Sequence, residues 1–540
     1  MMDNKRVLIA VVLCLVVTVG WNYLAEYMGW LPEPVAVQTQ PANTTADAVL
    51  SDAEQGTLST DAGEGLAVFT PSAGREVRVS TPLYTAILHS QGGVLQRFSL
   101  KDYRATIAPD SPDMDMVGDA AASLGAMGLM LDGKRTWQEG QWSFDGGDLL
   151  LAKGEAGTLT FSGELNGIRI VRELSFSADS YLVEETVRLV NGADVPRTLR
   201  LDFTLGYAPE QGGKNSYNPT KVAWFSDSEG LDNEADTEDL EKGLAKRLPL
   251  LWAGVENNYF LAAIAPHDRD VALKAKFQRG VYRLAVEKDG IAIAPGFEAK
   301  AGTAYYFGPK VASELDNAPN VLGASIDFGM FSILAKPLLA GINFFHKYVG
   351  NYGVAIIILT VLIKLVFWPL SHKSYKSMEQ MKKLQPMMQK IREKYADDRE
   401  KQNQEVMKLY KTYKVNPAGG CLPMLVQIPV FFGLYQALLN SIELRHASFI
   451  THLPFTEYIW LADLSAADPF YITPIVMGLT MLLQQMMTPG TGDPVQRKMM
   501  LLMPVIFTFM FLGFPAGLVL YWLTNNVLSI VQQWFMLRKA

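Results

Sequence analysis

The sequence predicts a polytopic α-helical membrane protein of six transmembrane helices, with a large all-β sandwich domain outside the membrane and a helical hairpin in the cytoplasm. Three observations predict this class. Six apolar stretches approach the length that crosses a hydrocarbon core of about 30 Å. Short alternating runs between turn residues fill the region between the first and second apolar stretches. Lysine and arginine concentrate directly after the second stretch, which marks its cytoplasmic side.

Residues 1–30 are predicted to form an N-terminal transmembrane anchor. Lys5 and Arg6 precede an apolar run over residues 7–30, which is longer than the core of a cleaved signal peptide and lacks a cleavage site of small residues. Basic residues before such a run favour the cytoplasm, so the chain that follows lies outside. Residues 31–60 are rich in Pro, Ala, Thr and Gln without a hydrophobic period, which predicts a flexible linker.

Residues 61–320 are predicted to form the β-sandwich domain. Runs such as residues 168–174 and 198–205 alternate apolar and polar side chains and are bounded by Gly, Asp and Asn. His89 and His267 are isolated and have no zinc-ligand spacing. The chain contains no P-loop, dinucleotide-binding or nucleic-acid-binding motif. We therefore predict no metal site, no cofactor, no catalytic residue and no ATP hydrolysis by this chain.

Residues 326–349 are predicted to form an amphipathic helix at the membrane surface. Apolar residues such as Phe328, Phe331 and Leu334 recur every three or four positions, but Pro337 and several polar side chains interrupt the run. An interfacial position fits this pattern better than a full span.

Residues 351–540 are predicted to hold a five-helix core. Its apolar stretches are residues 351–370, 422–442, 470–487, 499–512 and 517–537. The first carries Lys364, and a lysine at a helix centre costs roughly 2.5 to 3.5 kcal/mol on insertion scales. Either this side chain extends to the headgroups at the Pro369 end, or it faces a wet pocket in the bundle. Since none of the five stretches contains Asp or Glu, Lys364 has no carboxylate partner there, which favours a hydrated cavity open to the cytoplasm.

Residues 372–416 are predicted to form the helical hairpin. The segment holds twelve Lys or Arg against six Asp or Glu, which places it in the cytoplasm. The whole chain has a net charge of −7 because acidic residues gather before this segment, and that asymmetry indicates sidedness rather than nucleic-acid binding. The loop at residues 443–468 is acidic on balance, as an outer connection should be. The later connection contains Arg497 and Lys498, as an inner connection should. Both termini are therefore expected in the cytoplasm.

One face of the first hairpin helix carries Met378, Met381, Leu384 and Met388, which are three or four positions apart. These side chains could close the seam of the hairpin itself. They could instead offer an adaptable surface to apolar nascent segments, since Met fits varied shapes.

Further polar or amphipathic side chains occur in the predicted spans, namely Thr360, Gln427, Gln485, Trp522 and Asn525. Thr360 lies one turn from Lys364 on the same helix face. Any single one is commonly just an interhelical hydrogen-bonding group. Together with a cation that lacks a partner, the set predicts the lining of a polar cavity.

Several short segments resemble the YidC membrane insertase family, of the YidC/Oxa/Alb superfamily. They are LQP at 384–386, VNPAGGCLP at 415–423, QIP at 427–429, LSAADP at 464–469, MPV at 503–505 and FPAGL at 514–518. The anchor and large β domain are similar to the form found in bacteria with two membranes. The resemblance therefore implies the bacterial inner (cytoplasmic) membrane as the location and the periplasm as the site of the β domain.

The resemblance also implies a function. Members of the family insert newly made inner-membrane proteins and act as their chaperones, alone or with the Sec translocon, and use no nucleotide. For this chain it implies a hydrophilic, positively charged groove, open to the cytoplasm and to lipid and closed on the outer side. The groove residues are expected to be Lys364, Thr360, Gln427, Gln485, Trp522 and Asn525. The implied partners are nascent inner-membrane proteins, ribosome–nascent chain complexes, the Sec translocon and membrane lipids.

The sequence departs from the family pattern at two places. The groove cation of the family is most often Arg, whereas Lys364 stands at the matching position, so the charge is kept and the planar fork is lost. Almost none of the basic tail that some relatives are thought to use on ribosomes precedes Ala540, so the hairpin is expected to provide more of that contact.

Two other function classes stay open on the residues alone. A secondary transporter would use Lys364 as its substrate or ion site, although the spans show no internal repeat of the kind common in transporters. An envelope enzyme or sugar-binding protein would act through the β domain.

Overall fold

The computed structural model describes residues 69, 74–209, 217–316, 318–396, 398–413, 415, 422–487 and 494–539. The predicted anchor, residues 1–30, and the predicted linker, residues 31–60, lie outside these ranges. Along the described chain, a β domain is followed by a helical core.

The β domain is built from nineteen strands in the part of the chain that the structure describes. They are β1 (Glu76–Ser80), β2 (Tyr84–His89), β3 (Val94–Arg104), β4 (Asp113–Asp115), β5 (Leu129–Leu131), β6 (Lys134–Arg135), β7 (Gln141–Ser143), β8 (Leu149–Leu150), β9 (Ala156–Leu165), β10 (Ile168–Ser177), β11 (Leu182–Asn191), β12 (Arg197–Tyr207), β13 (Lys221–Ser226), β14 (Gly230–Glu234), β15 (Leu244–Glu256), β16 (Phe260–Pro266), β17 (Asp270–Gln278), β18 (Val281–Ile293) and β19 (Glu298–Pro309). A five-stranded sheet has the order β4-β3-β2-β1-β8. A fourteen-stranded sheet has the order β6-β5-β12-β18-β17-β15-β16-β19-β11-β10-β9-β7. Its other two strands are β13, which pairs with β15, and β14, which pairs with β13.

The two sheets share one apolar core. Ile168 and Ile170 on β10 are buried while the residues between and beside them are more exposed, as the period of two along a strand requires. Tyr84 and Phe98 of the smaller sheet stack with ring centroids 4.4 Å apart, and Phe98 lies 5.1 Å from Phe307 of the larger sheet. The prediction of a large, sandwich-like all-β domain is therefore confirmed.

Short helices accompany the strands, namely α1 (Asp119–Ala122), α2 (Thr136–Glu139), α3 (Thr237–Lys242) and α4 (Ala312–Leu315). The helical core contains α5 (Ser332–Val349), α6 (Tyr352–Val366), α7 (Trp368–Lys394), α8 (Arg399–Thr412), α9 (Leu422–Leu439), α10 (Ile472–Met487), α11 (Pro494–Phe511) and α12 (Ala516–Lys539). A small hairpin of β20 (Ile450–His452) and β21 (Ile459–Leu461) lies between α9 and α10. Six core helices pack in the series α11, α10, α12, α6, α5 and α9.

The apolar stretch at residues 351–370, which the sequence predicts to be one span, contains a helix and the start of the next. The side-chain oxygen of Asn351 caps the start of α6 by accepting a hydrogen bond from the Val354 N–H at 3.0 Å. α6 ends at Val366, and α7 leaves at an angle of 62°. Pro369 lies in the first turn of α7, where its missing N–H costs no helical hydrogen bond. The first helix of the predicted hairpin therefore starts at Trp368, before residue 372.

No single helix among the described residues combines the length and the apolarity that crossing a bilayer requires. By length and composition alone, two bent pairs reach that threshold: Pro319–Ser325 with Gly329–Val349, bent by 99°, and α6 with α7. Shorter apolar helices occur at Leu425–Leu439, Ile472–Met487 and Met499–Phe511.

The β domain contacts the carboxyl end of α9. Asn258, in the turn between β15 and β16, donates from Nδ2 to the carbonyl of Leu439 at 3.2 Å. Arg445, just beyond α9, donates to the carbonyls of Arg104 and Ala105 at 2.8 and 3.0 Å. The helix that carries Gln427 is therefore fastened at its far end.

Candidate functional site

Hydrogen bonds join α6 to α12 around Lys364. Lys364 Nζ donates to Ser529 Oγ at 2.7 Å, and Ser529 Oγ donates to the Asn525 carbonyl at 2.7 Å. Asn525 and Ser529 are four residues apart and so lie on one face of α12. The lysine side chain is only partly exposed. Within the described ranges, no carboxylate lies at ion-pair distance from it, and its charge is met by a hydroxyl alone.

Gln427 of α9 joins the same cluster. Its Nε2 donates to Asn525 Oδ1 at 2.7 Å. Asn525 therefore accepts from α9 through its side chain and from Ser529 through its backbone carbonyl. An ammonium group attracts carboxylates, and the amide groups can both donate and accept. This polar cluster, defined as Lys364, Gln427, Asn525 and Ser529, could bind an extended peptide segment that carries an acidic side chain.

Trp522 lies one turn before Asn525 and belongs to an aromatic layer. Its ring centroid is 4.7 Å from that of Phe431 on α9 and 5.3 Å from that of Phe511 on α11. Trp522 lies nearer the start of α12 than Asn525 and Ser529 do. Trp522 therefore bounds the polar cluster on one side.

The other two predicted groove residues stand apart from these hydrogen bonds. Thr360 is buried, and its hydroxyl donates to the Ile356 carbonyl of its own helix at 2.7 Å. Gln485 is partly exposed on α10, and its side chain makes no hydrogen bond with the residues that the structure describes. The structure thus brings together Lys364, Gln427 and Asn525, with Trp522 beside them.

The sequence analysis missed Ser529, the direct partner of Lys364. Asn525, Ser529 and Gln532 follow the spacing i, i+4, i+7 and so form one polar row on α12. Asn526 on the next face donates to Thr480 of α10, although its 3.5 Å is long for a hydrogen bond. The row was visible by the same rule that links Thr360 to Lys364.

Exposed apolar side chains cover α9 and α11, the two ends of the helix series. On α9 they are Leu425, Val426, Ile428 and Phe432. On α11 they are Met499, Leu502, Met503, Val505, Ile506, Phe509 and Met510. Contiguous apolar surface of this kind indicates contact with lipid or with another apolar chain.

The predicted methionine face of the hairpin divides into two parts. Leu384 and Met388 are buried, and Met388 Sδ accepts a hydrogen bond from the Tyr410 hydroxyl of α8 at 3.4 Å. Met378 and Met381 are partly exposed. Met388 therefore lies in the seam between α7 and α8, and Met378 and Met381 are more accessible than Leu384 and Met388.

Two family profiles match the chain. The profile described as 60Kd inner membrane protein matches residues 344–540, and the one described as YidC periplasmic domain matches residues 76–340. The polar cluster and the aromatic layer lie within the first match, and the nineteen strands of the β domain lie within the second.

Curated relatives match the full chain. The membrane protein insertase YidC of Nitratidesulfovibrio vulgaris (strain DSM 19637 / Miyazaki F) is 60% identical over 542 residues, which cover 100% of both chains. That of Oleidesulfovibrio alaskensis is 54% identical and also covers 100% of both chains. That of Geobacter sulfurreducens is 42% identical over 85% of both chains. The chain therefore belongs to the YidC family of membrane protein insertases.

Proposed function

We propose that this insertase moves the polar segment of a nascent inner-membrane protein, its client, through a groove lined by the polar cluster. The observation that carries the proposal is the state of Lys364. Its ammonium group has a hydroxyl partner at 2.7 Å and, in the described chain, no carboxylate. A cation kept in this state at a cost to stability is available to a client's acidic side chain.

The groove would work by lowering a desolvation barrier. A polar segment that enters hydrocarbon loses its hydrogen bonds to water, at several kcal/mol for each unsatisfied group. Lys364, Gln427 and Asn525 would replace part of that hydration. The apolar distance that the segment has to cross is then shorter than the full membrane.

The aromatic layer of Trp522, Phe431 and Phe511 supports a groove that is closed at one end. These rings lie toward the start of α12, which the charge of the loops assigns to the outer side. Trp522 would then form the outer floor of the groove rather than its polar wall. Thr360, one turn before Lys364 on α6, and Gln485 on α10 would also line the groove, without a hydrogen bond to the polar cluster.

The apolar helix of the client would leave along the exposed faces of α9 and α11. Both faces are apolar, and both lie at the ends of the helix series, so a client helix could pass between groove and lipid without crossing a packed seam. Interhelical attraction in lipid comes mainly from packing and hydrogen bonds, so a client without a matching surface can move on.

The topology that this function requires has six spans with both termini in the cytoplasm and the β domain in the periplasm. The hairpin α7–α8 is then cytoplasmic, which the twelve basic residues against six acidic ones in residues 372–416 support. Its position and charge suit ribosome–nascent chain complexes, with Met378 and Met381 facing apolar client segments. Work with the Sec translocon would broaden the range of clients.

Insertion of a short client with an acidic tail, into liposomes that contain only this chain, tests the proposal. Lys364→Glu should insert the client more slowly than the native chain, because it replaces attraction by repulsion, and Lys364→Arg should stay close to the native rate. A thermal unfolding curve of each variant checks that it folds. Equal insertion rates for all three chains would contradict the proposed role of Lys364.

A further inference from the structure

The small hairpin β20–β21 between α9 and α10 exposes apolar rings at its tip. Phe455 is 107% exposed and Tyr458 is 67% exposed. The hairpin is well held at its base, where the Phe449 N–H donates to the Leu461 carbonyl at 2.8 Å. At the tip, the Leu453 N–H donates to the Tyr458 carbonyl at 2.9 Å. The rings are thus displayed by an ordered element.

Two features of Phe455 cost free energy. A large apolar ring fully in water forgoes the gain of burial. Its backbone φ of 68° is in the left-handed region, which non-glycine residues rarely adopt. Exposed apolar residues in sparsely populated conformations indicate an interaction site.

The tip continues into the apolar face of α10. The rings of Tyr458 and Phe470 contact each other with centroids 6.1 Å apart. Beyond Phe470, an exposed apolar row runs along α10. Its members are Ile475, Leu479, Leu483 and Met486, spaced by three or four residues. In an inner-membrane insertase such a row faces acyl chains, so the hairpin tip extends the lipid-facing surface.

We propose that the hairpin tip is an interfacial anchor that inserts Phe455 and Tyr458 into the headgroup and upper acyl region of the outer leaflet. Residues 453–456 carry no charge, and the exposed Glu457 between the two rings would stay among the headgroups. Tyrosine at the boundary can bury its ring while its hydroxyl stays wet. The anchor would fix the depth of α10. Since α10 packs against α12, it would also fix the depth of Asn525 and Ser529.

A nitroxide at the tip of the full-length chain tests this proposal. Cys14 and Cys421, the two native cysteines, are replaced by serine, and Phe455→Cys is labelled in vesicles of phosphatidylethanolamine and phosphatidylglycerol. The matched control is Leu150→Cys in β8, a residue that is 84% exposed. The ratio of oxygen to nickel-chelate accessibility should be several-fold higher at position 455 than at position 150. Equal ratios would overturn the proposal.

Because Phe455→Cys removes the ring under test, Thr456→Cys is labelled as a second site with Phe455 intact. Shielding from the nickel chelate at position 456 in the same vesicles supports the anchor. If position 456 is open to the chelate in vesicles but shielded in native inner membranes, the occupant is a protein and the lipid assignment fails. Client insertion measured in the same vesicles reports separately on the groove.

Discussion

Two cations, Arg172 in the β domain and Lys364 in the helical core, have opposite surroundings. Arg172 on β10 is fully buried and donates to both oxygens of Glu185, with Nη2 to Oε2 at 3.1 Å. It also donates to the carbonyls of Gly92, Gly93 and Met127 at 2.7 to 3.1 Å. Every N–H of its guanidinium group is therefore used. Lys364 has three N–H donors and, among the described residues, a single hydroxyl partner.

We propose that this difference distinguishes a structural charge from a functional one. A buried ion pair that makes all its hydrogen bonds helps to hold the strands in register, and it keeps no N–H donor for a ligand. A cation without an acid nearby adds little to stability and keeps its attraction for one. Substitutions in the β domain should therefore change stability, and substitutions around Lys364 should change insertion.

The largest stability effect is expected for Arg172→Met. The substitution leaves Glu185 as an unpaired carboxylate in the core and should lower the free energy of unfolding of the β domain by roughly 3–5 kcal/mol. Denaturant unfolding of the purified full-length chain measures it. The control is Arg188→Met on the neighbouring strand, whose 3.5 Å pair with Glu173 has side chains 38% and 42% exposed and should contribute about 1 kcal/mol or less. Equal losses for both variants would remove the contrast.

A second prediction concerns the buried carboxylates of β12 and β18. Asp202 lies opposite Glu287, with Lys274 and Arg200 as the neighbouring cations. Burial, and then the charge of Glu287, raise the pKa of Asp202 to about 8. The folded state thus binds a proton that the unfolded chain releases near pH 4. This contribution to stability is complete below that pH and is lost as the pH rises through about 8.

Unfolding of the full-length chain at several pH values tests this prediction. Stability of the β domain should fall between pH 6 and pH 8 by up to about 1.4 kcal/mol per pH unit and change less above pH 8. Asp202→Asn should flatten this dependence. An unchanged slope in that variant would show that another group titrates.

The smallest effect is expected at Ser529. Ser529→Ala removes the hydrogen bond that positions the Lys364 amine, worth about 0.5–1.5 kcal/mol, so insertion of an acidic client should slow by roughly two- to tenfold. Ser529→Thr keeps the hydroxyl and should restore most of the rate. Unfolding curves should show that both variants fold, with a loss of no more than about 1.5 kcal/mol for Ser529→Ala. If Thr and Ala are equally slow, packing at position 529 matters and its hydroxyl does not.

The two regions also differ in how well the sequence predicted them. The β domain was predicted from alternation alone, because each strand repeats the same local signal, as over residues 168–174. Lys364, Gln427 and Asn525 stood out because polar side chains are rare in apolar stretches. Ser529 was missed, since a small hydroxyl is unremarkable in a helix until its partner is known.

Other differences between the sequence analysis and the structure came from contacts between distant positions. Trp522 was grouped with the polar lining. The rings that it contacts, Phe431 and Phe511, lie on two other helices, and the period of a single helix does not show which helices pack together. The break between Val366 and Trp368 could not be placed from the sequence, since a proline such as Pro369 can end one helix or lie in the first turn of the next. The choice of an insertase over a transporter or an envelope enzyme is confirmed by the family to which the chain belongs.

A charge exchange between insertase and client tests the central claim most directly. Two clients that differ only by Asp or Lys in the translocated tail are inserted into liposomes by the native chain and by Lys364→Glu. If the groove cation meets the tail, Lys364→Glu slows the Asp client and favours the Lys client, with a coupling free energy of about 0.5–3 kcal/mol. If Lys364→Glu changes both clients by the same factor, Lys364 does not contact the tail and the groove has another purpose.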